Sequence, residues 1–185
     1  MMISVRNNSQ NLSLNGATVV LTGASRGIGL EISRLLAKQK ANIIGIARSH
    51  TQLERWSEEM FAYGIPTENI SFDLNRIDLL SDLAQQIKPC SKRLGSGQID
   101  ILINNAGIEI YRAFQHYRLE EIASVISINL TAPMMLGRLL LPTLSEKGQI
   151  INMASLAGKK GHPYDSTYAA SKAGLLMWSH SLRQE

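Results

Sequence analysis

Cysteine is nearly missing from this chain: of 185 residues only Cys90 carries a thiol, so no intrachain disulfide can staple the fold. His50, His116, His162 and His180 are scattered, and no Cys or His pair has zinc-ligand spacing, so no metal site is expected. There is no run of about 18 apolar residues, and Met1 to Asn15 is polar without an apolar core, which excludes an evident membrane span and a secretory leader. Nor is there a long basic run. The net charge of +4 is spread along the chain, which argues against nucleic acid as a partner and suits a phosphorylated small ligand. Low-complexity segments and internal repeats are missing too. A single cytoplasmic domain in a reducing compartment is expected, with residues 1–13 as an N-terminal extension and 14–185 as the folded unit.

What is present is an alternation. Short β-branched runs at Ala17–Thr22, Asn42–Ala47, Asn69–Asp73, Ile99–Asn104 and Gln149–Met153 are the strand candidates. Between them, Ile28–Lys38, Thr51–Tyr63 and Arg76–Lys88 carry apolar residues at three- and four-residue spacing. That pattern predicts right-handed strand-helix-strand units and an α/β fold with a parallel sheet. A longer helical stretch from Leu119 to about Leu144 contains Pro133, which should kink or divide it. The final helix begins near Thr167 and runs to the last residue. Trp56 and Trp178 fall on helical faces and read as packing residues, and Met134, Met135 and Leu139 to Leu141 read as helix core.

The first strand runs directly into Thr22-Gly23-Ala24-Ser25-Arg26-Gly27-Ile28-Gly29. Glycines at a strand-to-helix junction let the backbone approach a pyrophosphate, and the N–H groups of the next helix then face its charge. Any tight turn can use glycine, so the segment gains force from its context. The second strand ends in Ala47-Arg48, with no acid to receive the ribose hydroxyls of NAD. Arg48 and Arg26 could instead converge on a 2'-phosphate, although two surface arginines can also be merely solvated. Asp73-Leu74 follows the third strand, where Asp73 could equally cap the helix near Arg76. Asn104-Asn105-Ala106-Gly107 makes a small-residue turn after the fourth strand.

Tyr168 and Lys172 are four apart in a helical stretch, one turn apart on one face. A neighbouring ammonium favours a phenolate, which suits a general acid/base. Ser155 follows the fifth strand and precedes Tyr168 by 13 residues, and its hydroxyl could hold a substrate oxygen as charge develops. Tyrosine and lysine at this spacing occur on ordinary helices, and a serine after a strand is commonplace. Their order and their coexistence with the glycine turn single them out.

Together these motifs, from about Leu14 onward, make the chain resemble the short-chain dehydrogenase/reductase family, whose form of the glycine turn is Thr-Gly-x3-Gly-Ile-Gly. The resemblance implies a doubly wound, Rossmann-like parallel sheet of strand order 3-2-1-4-5, with the family's last two strands lying beyond this sequence. It implies a cofactor site of Gly23, Ser25, Arg26, Gly27, Ile28, Gly29, Arg48, Asp73, Leu74, Asn105, Ala106 and Gly107, completed by Tyr168 and Lys172. NADP(H) is expected over NAD(H). The catalytic set would be Asn129, Ser155, Tyr168 and Lys172, with Asn129 at a helix irregularity and connected through water to the lysine. Hydride transfer between the nicotinamide and a carbonyl or secondary alcohol is the implied chemistry, with a small-molecule substrate. Homodimers or homotetramers would form through the Leu119 stretch and the final helix. Tyr164 belongs to the substrate-side loop, and Lys159 and Lys160 should be solvated. Without a sixth strand, the apolar fifth strand is expected to be left as an open edge. A noncatalytic dinucleotide-binding or interaction module of the same fold is the alternative reading.

Overall fold

The computed structural model describes residues 2–4 and 13–185; most of the extension expected over 1–13 therefore lies outside the described residues. Five parallel strands, β2 (Thr18–Thr22), β3 (Asn42–Ala47), β4 (Thr67–Ser71), β5 (Ile99–Asn104) and β6 (Leu144–Met153), form the sheet. Their spatial order is β4-β3-β2-β5-β6, the predicted 3-2-1-4-5. The edge expected to be open is paired: β1 (Met2–Ser4) runs antiparallel to β6, with Met2 opposite Met153.

Alternation along the buried strands sends side chains to two cores. Val19, Leu21 and Ile43 face α1 (Gly27–Lys38) and α2 (His50–Ala62), whose Leu36, Ala37, Leu53, Trp56 and Met60 cover them. Val20, Ile44, Ile46 and Leu102 face the opposite layer, where α3 (Leu80–Leu94) contributes Leu80, Leu83 and Ile87. On that side lie α4 (Leu119–Ile126), α5 (Ala132–Leu140) and α6 (Ser166–Leu182).

Several boundaries differ from expectation. The helix expected to end at Lys88 continues through Pro89 to Leu94 after a short turn at Ile77–Leu79. Pro89 and Gln85 both sit on the exposed face, so the carbonyl that the missing N–H would have bonded can face water. Strand β6 starts at Leu144, with a register irregularity opposite Ile99–Ile101. The long helical stretch is divided, as expected near Pro133, by a π turn at Ser127–Thr131 directly ahead of that proline, which is the second residue of α5. Helix α6 stops at Leu182 rather than at the last residue. Met134 and Met135 are exposed, contrary to the core reading, as is Leu141. The buried stripe of α5 is Ala132, Pro133, Leu136, Gly137 and Leu140, and both methionines fall outside it. By length and composition the continuous stretch Leu119–Thr143 (mean hydropathy 1.4) could cross a membrane. Here its buried residues face α3 and the sheet, as those of a core helix do.

Trp56 shows how tightly α2 is seated. Its indole N–H donates to Ser33 Oγ (2.9 Å), which donates to Gly29 O (2.9 Å). Its ring lies over Gly45, where an added Cβ would sit 2.6 Å from the nearest ring carbon. Gly45→Ala should therefore destabilise the fold by about 1–3 kcal/mol through overpacking. Adding Trp56→Phe, which removes the clashing atom, should restore part of the loss in urea denaturation; no recovery would show that the ring is not what Gly45 accommodates.

Candidate active site

Thr22 ends β2 and fastens the glycine turn to the loop after β5. Its Oγ1 accepts from the N–H groups of Asn105 (3.0 Å) and Ala106 (3.1 Å). In return Asn105 Nδ2 donates to Thr22 O (3.0 Å) and Gly23 O (3.2 Å). Side chains have no room there: a Cβ on Gly29 would sit 1.9 Å from Gly23 O, and one on Gly23 would sit 2.9 Å from Asn105 Nδ2. Gly23 and Gly27 also have φ of +69° and +54°, which only glycine adopts freely.

Beside this clasp lies a cavity of about 730 Å³, the size of a cofactor site. All twelve residues predicted to touch the cofactor from Gly23 to Gly107 line it. The start of α1 opens on it, with no side-chain cap and no acid in the first turn, so its N–H groups are available to an anion. Arg26 and Arg48 stand exposed on the lining, and neither has a carboxylate partner among the described residues. Asp73 does not cap a helix: its Oδ1 accepts from Asn75 N (3.0 Å), closing a local turn.

The sequence reading did not name Ile46, Ala47, Ser49, Gln52, Phe72, Ile108 and Ile128 as lining residues. Ser49 had a readable signal, a serine before a helical run, and it does cap α2 by accepting from Gln52 N (3.3 Å). Gln52 had none. It stands in the first turn of α2, where Ser25 Oγ donates to its Oε1 (3.4 Å).

Beyond Gly107 the second group of residues gathers. Asn129, wholly buried inside the π turn, accepts from Ile108 N (2.8 Å). Its Nδ2 donates to Ile108 O (2.8 Å) and Ser171 Oγ (3.0 Å). A Cβ on Gly107 would stand 3.3 Å from Asn129 Oδ1 and 3.5 Å from Lys172 Nζ, so these groups meet at one point. Lys172 Nζ donates to Met153 O (2.7 Å) and lies 5.7 Å from the centre of the Tyr168 ring. Burial lowers the Lys172 ammonium from its ordinary 10.5 to about 8. Ser155, two residues after β6, accepts from Ala157 N (3.2 Å) and so caps the turn Leu156–Gly158. That turn lies against α6 so closely that a Cβ on Gly158 would sit 2.7 Å from the Lys172 backbone.

A further buried chain links the same elements. Asn104 Nδ2 donates to Asn152 Oδ1 (2.8 Å), Asn152 Nδ2 to Ser179 Oγ (2.8 Å), and Ser179 to Leu175 O (2.7 Å). The sequence offered no sign that Asn152 and Ser179 would meet. Among the described residues no group of three or more His, Cys, Asp or Glu could hold a metal ion.

The profile of the short chain dehydrogenase family matches residues 17–185. A ketoacyl reductase, HetN, of Nostoc sp. is 48% identical over 175 residues, covering 94% of this chain and 59% of the relative; the chain thus spans less than two thirds of that protein. A 3-oxoacyl-[acyl-carrier-protein] reductase, FabG, of Haemophilus influenzae is 33% identical, covering 93% of this chain and 69% of its own. A metagenomic short-chain oxidoreductase solved with NADP superposes with a TM-score of 0.82 at 36% identity, over 94% of this chain and 79% of the other. An NAD+-bound xylitol dehydrogenase gives 0.83 at 25% identity, over 92% and 65%. With sequence, strand order and glycine turn in agreement, the chain belongs to the short chain dehydrogenase family.

Proposed function

We propose that residues 14–185 hold NADP(H) and carry the proton-transferring groups of an oxidoreductase acting on a carbonyl or secondary alcohol. The observation that carries this reading is the meeting of Gly107, Asn129 and Lys172 at the end of the cavity, with Tyr168 beside Lys172. The residues present fit the cofactor: the Gly23–Gly29 approach leaves backbone space for a pyrophosphate, and Arg26 and Arg48, without a carboxylate partner among the described residues, offer two guanidinium groups to a 2'-phosphate. When bound, the nicotinamide supplies or accepts the hydride.

The protein's part is to hold the substrate oxygen and manage one proton. In reduction, Tyr168 gives its phenolic proton to the carbonyl oxygen as charge builds there. Ser155 Oγ accepts from Ala157 N, which orients the hydroxyl and leaves its own hydrogen for the same oxygen. Lys172, fixed by Met153 O, places a positive charge beside the phenol and reaches toward the nicotinamide ribose. Asn129 holds the π turn to Ile108 and to Ser171 of α6, which fixes the helix that carries Tyr168. The names of the relatives point to a 3-oxoacyl thioester as substrate. A cytoplasmic setting and assembly through the Leu119 stretch and α6, whose Met134, Met135 and Met177 are exposed, complete the proposal.

Three outcomes test it. Tyr168→Phe should reduce NADPH-dependent reduction of acetoacetyl-CoA about 100-fold or more while NADPH binding persists; undiminished turnover would remove Tyr168 from the proton path. If the unaltered protein binds NADPH without turning over any carbonyl, the noncatalytic module is the better reading. Arg48→Ala should weaken NADPH binding roughly tenfold or more and leave NADH binding unchanged, and equal losses for both would dissociate Arg48 from the 2'-phosphate.

The third outcome concerns Lys172. Below pH 8 it is charged in both folded and unfolded chains, and folding bears the full desolvation cost. Between about 8 and 10.5 the unfolded chain binds more protons than the folded one, so this group's contribution raises stability with pH across that window. The size is about 3 kcal/mol. Lys172→Met should abolish this rise in urea denaturation of the apoprotein, and an unchanged slope would refute it.

A further inference from the structure

Strands β5 and β6 leave the sheet side by side and in the same way. Asn104 stands opposite Asn152 in the parallel register. Each strand ends in a tight turn, with Asn105 N donating to Ile103 O and Ala154 N to Asn152 O, both at 3.1 Å. The two asparagine side chains are buried, at 3% and 0% exposure, and so is Ser179, at 0%. They join in the chain that runs from Asn104 Nδ2 through the Asn152 amide to Ser179 Oγ, each step 2.8 Å, and ends on Leu175 O.

None of these side chains lines the cavity or titrates. Exchanging a buried polar set for an apolar one of the same shape is close to neutral in stability, so stability alone does not account for the chain. What directional bonds add over apolar packing is a single relative placement. The elements placed here bear the proton-transferring groups. Asn152 begins the turn whose middle carbonyl, Met153 O, receives Lys172 Nζ (2.7 Å), and Ser155 is the next residue after that turn. Ser179 lies on the same helix as Lys172, about two turns further on. Helix α6 is thus fastened to consecutive residues of β6, once through Ser179 and once through Lys172.

We infer that Asn152 and Ser179 are positioning residues: their contact holds the turn at the end of β6 against α6, and so sets where the Met153 carbonyl and Ser155 stand relative to Lys172 and Tyr168. The inference rests on the proton-transfer reading above and deepens it. Without the contact, the turn and the helix can shift against one another, and Lys172 loses the acceptor that holds its ammonium 5.7 Å from the centre of the Tyr168 ring. Burial brings that ammonium to about 8, and no carboxylate among the described residues pairs with it. A weakened acceptor therefore lowers it further.

The test follows Lys172 itself. In the apoprotein with 13C at the lysine ε carbons, the Lys172 resonance is identified by its loss in Lys172→Met, and its titration midpoint is read by NMR. Ser179→Ala should lower that midpoint by roughly half a unit or more, and Ser179→Thr, which keeps the hydroxyl, should leave it as in the unaltered protein. Should Ser179→Ala not fold, Ser179→Cys makes the same comparison, because a thiol donates and accepts only weakly. With NADPH and acetoacetyl-CoA, kcat should fall about tenfold or more in the alanine variant while NADPH affinity is retained, and threonine should restore it. An unchanged Lys172 midpoint in Ser179→Ala overturns the proposal, whatever the loss of stability, as does a defect that Ser179→Thr does not relieve. A shifted midpoint in a protein that reduces no carbonyl would instead reject the catalytic reading and leave the positioning role intact.

Discussion

The contact on which the rest of the site depends is the close approach of two backbones where the sheet changes direction. From β2 the chain crosses to β3 and β4 on one side, while β5 and β6 lie on the other, so the loops after β2 and β5 diverge and leave a crevice between them. Thr22 Oγ1 and the Asn105 amide close the bottom of that crevice with four hydrogen bonds. Glycine at 23 and 29 permits the approach. Any Cβ there would force the turn away from Asn105 and misplace the N–H groups that begin α1. A cavity wall and an anion site thus follow from one steric condition.

The other half of the site depends on buried polar groups rather than on missing side chains. Asn129, Asn152, Ser171 and Ser179 are all fully buried, and each finds a partner on another element or within its own helix. Unpaired, each would cost about 1–3 kcal/mol; paired, they restrict β5, β6, the π turn and α6 to one relative placement. Lys172 is different, because the one acceptor it has among the described residues, Met153 O, does not offset its desolvation. A lysine kept where it destabilises the chain is better explained by chemistry than by packing.

Much of this was legible in the sequence, for identifiable reasons. Strands β3 and β5 are bounded as read, because runs such as Asn42–Ala47 are buried along nearly their whole length and end at turn-forming residues. Strand β4 was misplaced by two residues since Thr67-Glu68 is half exposed and reads as loop. The helix expected to end at Lys88 runs on through Pro89, which lies on a wet face, whereas the break expected near Pro133 is present as the π turn just ahead of it. The twelve cavity-lining residues could be listed because they fall in contiguous motifs, whereas Gln52, Ile128 and the Asn152–Ser179 contact arise only when distant segments pack.

The two ends of the site also differ in how their polar groups are satisfied. The end beside the glycine turn has its hydrogen bonds made: Thr22 and Asn105 are clasped, and Asp73 and Ser49 satisfy their own turns. Toward α6 the features are of another kind: Asp165 Oδ1 has no hydrogen-bond partner among the described residues, Tyr164 has φ of +65°, and the rings of Tyr111 and Tyr164 are exposed. A dinucleotide's pyrophosphate is the same in every turnover, so a rigid site can be built in advance for it. Substrates vary in their apolar part, and apolar recognition is non-directional. Phosphate recognition needs directed donors and apolar recognition only surface, so it is the glycine turn and the Thr22–Asn105 clasp, which set donor directions, that must be fixed in advance.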